Sequence, residues 1–186
     1  LVLDELQRAR VEQLRGQVAR VSDYGREAPV RLLRAAVRLE SLDPRLARDT
    51  YLHALFASIV AGRLAQPGGR LLEVARAARS VAPPSPAPLP RDLLLDGMTT
   101  MIIDGRAAAE PTLRRAVQAF LRDEISTDDR AQWGLLGTGA AVALWDFDSW
   151  AEMSGRHLEV ARASGALAPL SAALNAHRVV ATFCGD

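Results

Sequence analysis

Helix-ending marks recur along this chain about every forty residues, and that period restricts its fold more than any other feature. The marks are Tyr24-Gly25-Arg26, Ala61-Gly62-Arg63, Asp104-Gly105-Arg106, Trp145-Asp146-Phe147 and Cys184-Gly185-Asp186. Each follows a long segment with apolar residues at helical spacing, and each but the last precedes another such segment. A helix–turn–helix unit repeated at this length is the signature of an α-solenoid, where no unit buries its apolar face without its neighbours. The composition fits that reading. Hydrophobic residues make up 49% of the chain and aromatics only 5%, so a core must be built from Ala, Leu and Val. Such a mixture suits helices, whereas a sheet sandwich draws on more β-branched and aromatic side chains.

The apolar periodicity places a first helix from about Leu3 to Val21, with Leu6, Val11, Leu14, Val18 and Val21 along one side. Pro29 sits in the first turn of a second helix carrying Val30, Leu33, Ala36 and Val37. Asp43-Pro44 starts a third, because Asp caps free N–H groups and Pro occupies a position that needs none. Its apolar face is Leu52, Leu55, Phe56, Ile59 and Val60, and it ends near Gly62. Gly68-Gly69 precede a fourth helix with Leu71, Leu72, Ala75 and Ala78. Residues 82–90 (APPSPAPLP) cannot be helical, since Pro lacks the donor and clashes with the preceding turn.

This Pro-rich stretch reads as a polyproline-like connector between a first helical half (1–81) and a second (91–186), rather than as a docking motif. Having no helical hydrogen bonds, it is expected to be the place where the two halves shift against each other. Leu93, Leu94, Met98, Met101 and Ile102 then mark helix five, ending at Gly105. Helix six carries Leu113, Ala116, Val117, Phe120 and Leu121 inside and Arg114, Arg115, Gln118 and Arg122 outside. Asp128 or Asp129 opens helix seven, whose face is Trp133, Leu136, Gly137, Ala140, Ala141 and Leu144. Its small residues Gly137, Ala140 and Ala141 leave room for another helix to approach closely. The S-x-x-E capping box Ser149–Glu152 starts helix eight, and Pro169, after Gly165, opens helix nine.

Chemistry-bearing motifs are scarce. All 23 of the Lys and Arg residues are arginine, so the G-x-x-x-x-G-K-[ST] phosphate loop cannot be built. Neither a G-x-S-x-G elbow, an H-E-x-x-H zinc motif nor a paired-cysteine zinc pattern occurs. His53, His157 and His177 fall in different helices. His157, beside Trp150, Met153 and Leu158, reads as a hydrogen-bonded, half-buried histidine. His177 and Cys184 lie about two turns apart on one predicted helix, which keeps open a Cys–His hydrolase or transferase, although nothing supplies an oxyanion site. Asp128-Asp129 and Asp146-Phe147-Asp148 precede helix starts, where acids cap N–H groups and offset the helix dipole, a better account than metal carboxylates. Trp133, Trp145 and Trp150 read as core anchors, with a ligand-stacking platform as the alternative. Arg114, Arg115 and Arg122 form a positive ridge read as a solvated face. No residue is assigned a catalytic, cofactor-binding or metal-binding role.

The net charge of +1 leaves no basic surplus for nucleic acid, and negligible DNA affinity is expected. The single Cys184 excludes an internal disulfide and fits a reducing, cytoplasmic setting. No uninterrupted apolar run reaches the roughly 18 residues of a membrane span.

The string LARDTYLHALFASIVAGRL (46–64) resembles the helical region of the large ATP-binding regulators of the LuxR family, common in actinobacteria. The likeness continues in RDLLLDGMTTMIIDGRAAAEPTLRRAVQAF (91–120), ALWDFDSW (143–150) and LEVARASGALAPLSAALN (158–175). The resemblance implies a tetratricopeptide-like segment of about nine antiparallel helices, flanked in the intact protein by an ATPase and a DNA-binding helix-turn-helix, neither of which lies in these residues. It implies a non-catalytic sensor that takes a small-molecule or protein effector on its concave face and biases those domains. A protein–protein scaffold without effector is the alternative, and homo-oligomers are compatible with either.

Overall fold

A computed structural model describes residues 3–21, 25–82, 87–122 and 124–184. Among them are nine α-helices, one 3-10 turn at Gly62–Leu64 and no strand. The helices are α1 (Glu5–Val21), α2 (Ala28–Leu39), α3 (Pro44–Ala61), α4 (Leu71–Arg79), α5 (Pro90–Asp104), α6 (Arg106–Leu121), α7 (Thr127–Leu144), α8 (Phe147–Ser164) and α9 (Leu167–Cys184). The all-helical class and the nine helices expected from the sequence are therefore present. The marks at Tyr24 and at Gly185-Asp186 lie outside the described residues.

Local chemistry sets most helix ends where the sequence places them. Asp43 accepts a hydrogen bond from the Leu46 N–H at 3.0 Å, with Pro44 in the first turn. The backbone turns sharply at Gly105, whose φ of 91° lets α6 follow α5 directly. Four starts differ from the sequence reading. Helix α8 begins at Phe147 because Asp146, not Ser149, is its cap, accepting from the Ser149 N–H at 3.2 Å. Helix α7 is capped by Ser126, which accepts from the Asp129 N–H at 3.0 Å, leaving Asp128 and Asp129 inside the first turn. Helix α9 begins at Leu167, so Pro169 occupies its first turn. Pro90, counted with the connector, is the first residue of α5, where its missing N–H costs nothing.

Packing follows a register that the large apolar residues do not announce. In α1 the buried residues are Ala9, Gln13 and Gly16, while Leu14 and Val18 are 58% and 64% exposed. Helix α2 buries Ala28, Leu32, Ala35, Ala36 and Leu39 and leaves Val37 half exposed. In α3 the end of the expected stripe, Ile59 and Val60, faces outward, and in α4 Val74 is buried instead of Leu72. The reason lies in the helix pairs. A Cβ built on Gly16 would stand 2.7 Å from Leu32, one on Gly97 2.6 Å from Leu113, and one on Gly137 2.7 Å from Met153. In each case a small residue of one helix receives a large residue sixteen positions later on the next. Ser58 and Val74, both buried, stand at the same separation in α3 and α4. The close approach expected at Gly137, Ala140 and Ala141 is present, with Ala140 and Ala141 fully buried.

Sequence neighbours pack most extensively, and each odd-numbered helix also touches the next odd-numbered one. One buried cluster runs from Ala28 in α2 to Met153 in α8. It passes across the Pro-rich connector without a break. Charge reinforces the crossing: Arg48, 2% exposed, donates from Nε to Asp92 Oδ1 (2.8 Å) and from Nη2 to Asp96 Oδ1 (2.7 Å). Arg91 in turn pairs with Asp49 at 2.7 Å and with Asp129 at 3.0 Å, joining α3, α5 and α7. The packing between the two halves is thus continuous apolar core bordered by the buried Arg48–Asp92 pair and by half-buried ones.

Candidate functional site

Helices α1, α3, α7, α8 and α9 border a half-open cavity of about 300 Å³ in which polar side chains from distant parts of the chain meet. His53, on the inner face of α3, is 8% exposed and its ring lies 4.5 Å from that of Trp133, which is itself 1% exposed. Its Nε2 is 3.1 Å from the Gln17 amide nitrogen of α1 and 2.7 Å from that of Gln132 in α7. Two amide donors converging on one ring nitrogen fit the neutral imidazole, with Nε2 accepting and the proton on Nδ1. Burial, with a smaller push from the Arg20 charge, lowers His53 from its ordinary 6.5 to about 4.

Arg20 lines the same cavity, its guanidinium 5.5 Å from the centre of the Phe56 ring. Its Nε is buried without a hydrogen-bond partner among the described residues. On the α8 side stands His157, 5% exposed, packed against Gly134 so closely that an added Cβ would meet its Nδ1 at 2.7 Å. Burial lowers this histidine too, partly offset by a backbone hydrogen bond to Arg130, and Nδ1 is left unpartnered. His157 is therefore a wall of the cavity and more deeply buried than the sequence indicated.

The remaining sequence candidates do not assemble. His177 has Ser154 Oγ 3.3 Å from its Nδ1, and Ser154 is 1% exposed. The side chain of Cys184 lies outside the described residues, and with it the expected His177–Cys184 pair. Of the three tryptophans Trp133 is buried in the core and Trp150, half-buried beside Phe147 and Phe183, packs against it, whereas Trp145 is 80% exposed. Trp145 ends α7 in the left-handed region at φ 57°. Asp129 and Asp146 serve helix starts, and no group of His, Cys, Asp and Glu fit to hold a metal occurs among the described residues.

Arg114, Arg115 and Arg122 border a wider hollow of about 700 Å³. Its wall also contains Glu124 and Asp129, and Arg114 is paired with Glu110, so charge there is largely balanced. The inner cavity differs in holding a cation and no carboxylate among its lining residues. None of its polar members except the histidines drew attention in the sequence. Gln17 and His53 stand 36 residues apart, and His53 and Gln132 stand 79 apart. Only the packed helices bring them together. No family model, curated protein or solved structure matches this chain. No described helix is long and apolar enough to cross a membrane.

Proposed function

We propose that the chain is a tetratricopeptide-like solenoid of antiparallel helical hairpins that binds a small effector in its inner cavity. The repeated small-to-large register supports the solenoid reading. In tetratricopeptide repeats a glycine of the first helix precedes an A-x₃-F pair on the second, and here Gly16 precedes Ala28 and Leu32, and Gly97 precedes Ala109 and Leu113. Gly137 before Ser149 and Met153 repeats the arrangement. The single observation that carries the binding reading is the cavity walled by Arg20, His53, Gln132 and His157.

Its position suits a sensor. The walls come from α1 and α3 at one end of the chain and α7, α8 and α9 at the other. A ligand touching both sets favours whichever arrangement of the helices holds it best, and so changes what neighbouring domains experience. Together with the sequence resemblance, this supports placing the chain in a cytoplasmic LuxR-type ATP-dependent regulator, coupled to a flanking ATPase and helix-turn-helix. A coding sequence with neither domain beside this segment would withdraw that placement and leave the binding module.

The test is a metabolite screen by thermal shift on the 186-residue chain and on Ala172→Trp, which fills the cavity. Saturable stabilisation of the parent, lost in Ala172→Trp and retained in the outer-face variant Arg76→Glu, is expected. Stabilisation unaffected by Ala172→Trp would place the ligand elsewhere, and none at all would favour the scaffold reading. The second reading rests on the exposed Trp145, Phe147 and Phe183 around an apolar hollow of about 510 Å³, a surface that suits protein contact.

A further inference from the structure

We infer that the ligand of the inner cavity is a small organic monoanion: a single carboxylate, held by Arg20 and the free ring N–H of His53, on a flat apolar body lying against Phe56. The inference rests on the cavity being the binding site and adds the class of molecule that fills it. Three observations on the cavity walls lead to it.

The first is charge. Arg20 makes no ion pair with any described acid, and no Asp or Glu is among the described residues that line the cavity. Its Nε is buried without a partner among the described residues, so the protein leaves this guanidinium short of hydrogen bonds. A guanidinium presents donors in a fixed fork that matches a carboxylate, so an anion is the partner its geometry favours.

The second is the neighbouring histidine. Gln17 and Gln132 converge on Nε2 of His53 and so favour the tautomer with the proton on Nδ1, which makes no hydrogen bond among the described residues. The ring therefore offers a donor without offering a second positive charge. One cation and one neutral donor suit a monoanion; a phosphate ester with two charges would leave one of them unmatched by any protein group lining the site.

The third is shape. Phe56 stands under the guanidinium, and Leu135 and Ala172 complete an apolar wall. The volume, about 300 Å³, lies at the lower end for ligand pockets, which admits a body of one or two rings.

The closing experiment uses matched probes differing only in charge: benzoate with benzamide, and 1-naphthoate with 1-naphthamide. The chain contains three histidines, so its imidazole proton signals can be assigned by substitution and followed during titration. Carboxylates should move the His53 and His157 signals saturably, leave His177 unmoved, and bind about tenfold tighter than their amides. Arg20→Gln should abolish that preference while the amides still move the His53 signal, and Arg20→Lys should restore part of it. Equal binding of acid and amide at His53 would overturn the monoanion while leaving the cavity as the site. Failure of every probe to move His53 would overturn both.

Discussion

Glycine has opposite meanings at two helical positions of this chain, and the surroundings decide which. At Gly97 a new Cβ would meet Leu113 Cδ2 at 2.6 Å and the Leu113 backbone nitrogen at 3.3 Å. Gly97→Val should force α5 and α6 apart and cost about 1–3 kcal/mol in urea unfolding. At Gly155 nothing stands within 4 Å and the backbone is helical. Gly155→Ala should therefore gain roughly 0.5–1 kcal/mol from helix propensity. Equal changes at both sites would refute the small-to-large register. Trp145 adds a third case, since a bulky side chain in the left-handed region is disfavoured while Asn tolerates it. Trp145→Asn should hold or raise the melting temperature; a clear drop would mean that the exposed ring contributes packing.

Elements are joined here by charge as well as by apolar contact. Two Arg-Asp pairs, Arg48-Asp49 in α3 and Arg91-Asp92 in α5, are cross-connected, each arginine reaching an aspartate of the other helix. Arg48 also donates to the Val81 carbonyl at 3.1 Å, tying the end of the α4 segment to the same point. Arg48→Met would strand Asp92, whose side chain is 5% exposed, and should cost about 3–5 kcal/mol. Adding Asp92→Asn should recover part of that loss, whereas Arg91→Ala, at a partly solvated pair, should cost roughly 1 kcal/mol. Denaturant titration of the three variants checks the order. Helix ends were legible in the sequence because Asp43-Pro44, Gly105 and Gly165 act locally. The buried faces of α1 and α2 were not, because in Ala-rich helices the contact forms at small residues such as Ala9, Gly16 and Ala35, leaving Leu14, Val18 and Val37 outside. Periodicity finds an apolar stripe; it does not say whether that stripe or its small-residue neighbour meets the next helix.

At the scale of the whole molecule, His53 links three helices that the sequence keeps far apart, and its protonation is a measure of that link. The site was illegible in the sequence for the same reason: Gln17 and Gln132 acquire meaning only once α1 and α7 converge on α3. Above pH 6.5 the imidazole is neutral in both the folded and the unfolded chain. Below it the unfolded ring takes up a proton, while the folded ring stays neutral until about pH 4. Unfolding therefore binds a proton across that window, and stability falls as pH drops from 6.5 towards 4. The full effect is on the order of 3 kcal/mol. Carboxylates titrate in part of the same range, and burial raises Asp49 despite its Arg91 partner, so the wild-type curve alone is not diagnostic. The difference between wild type and His53→Gln is, because every other group, His157 included, is common to both proteins. That difference should be largest near pH 7 and shrink steadily towards pH 4 in parallel urea titrations. Two stability curves that remain parallel across the window would mean that His53 is not held neutral between Gln17 and Gln132, and that α1, α3 and α7 do not meet there as described.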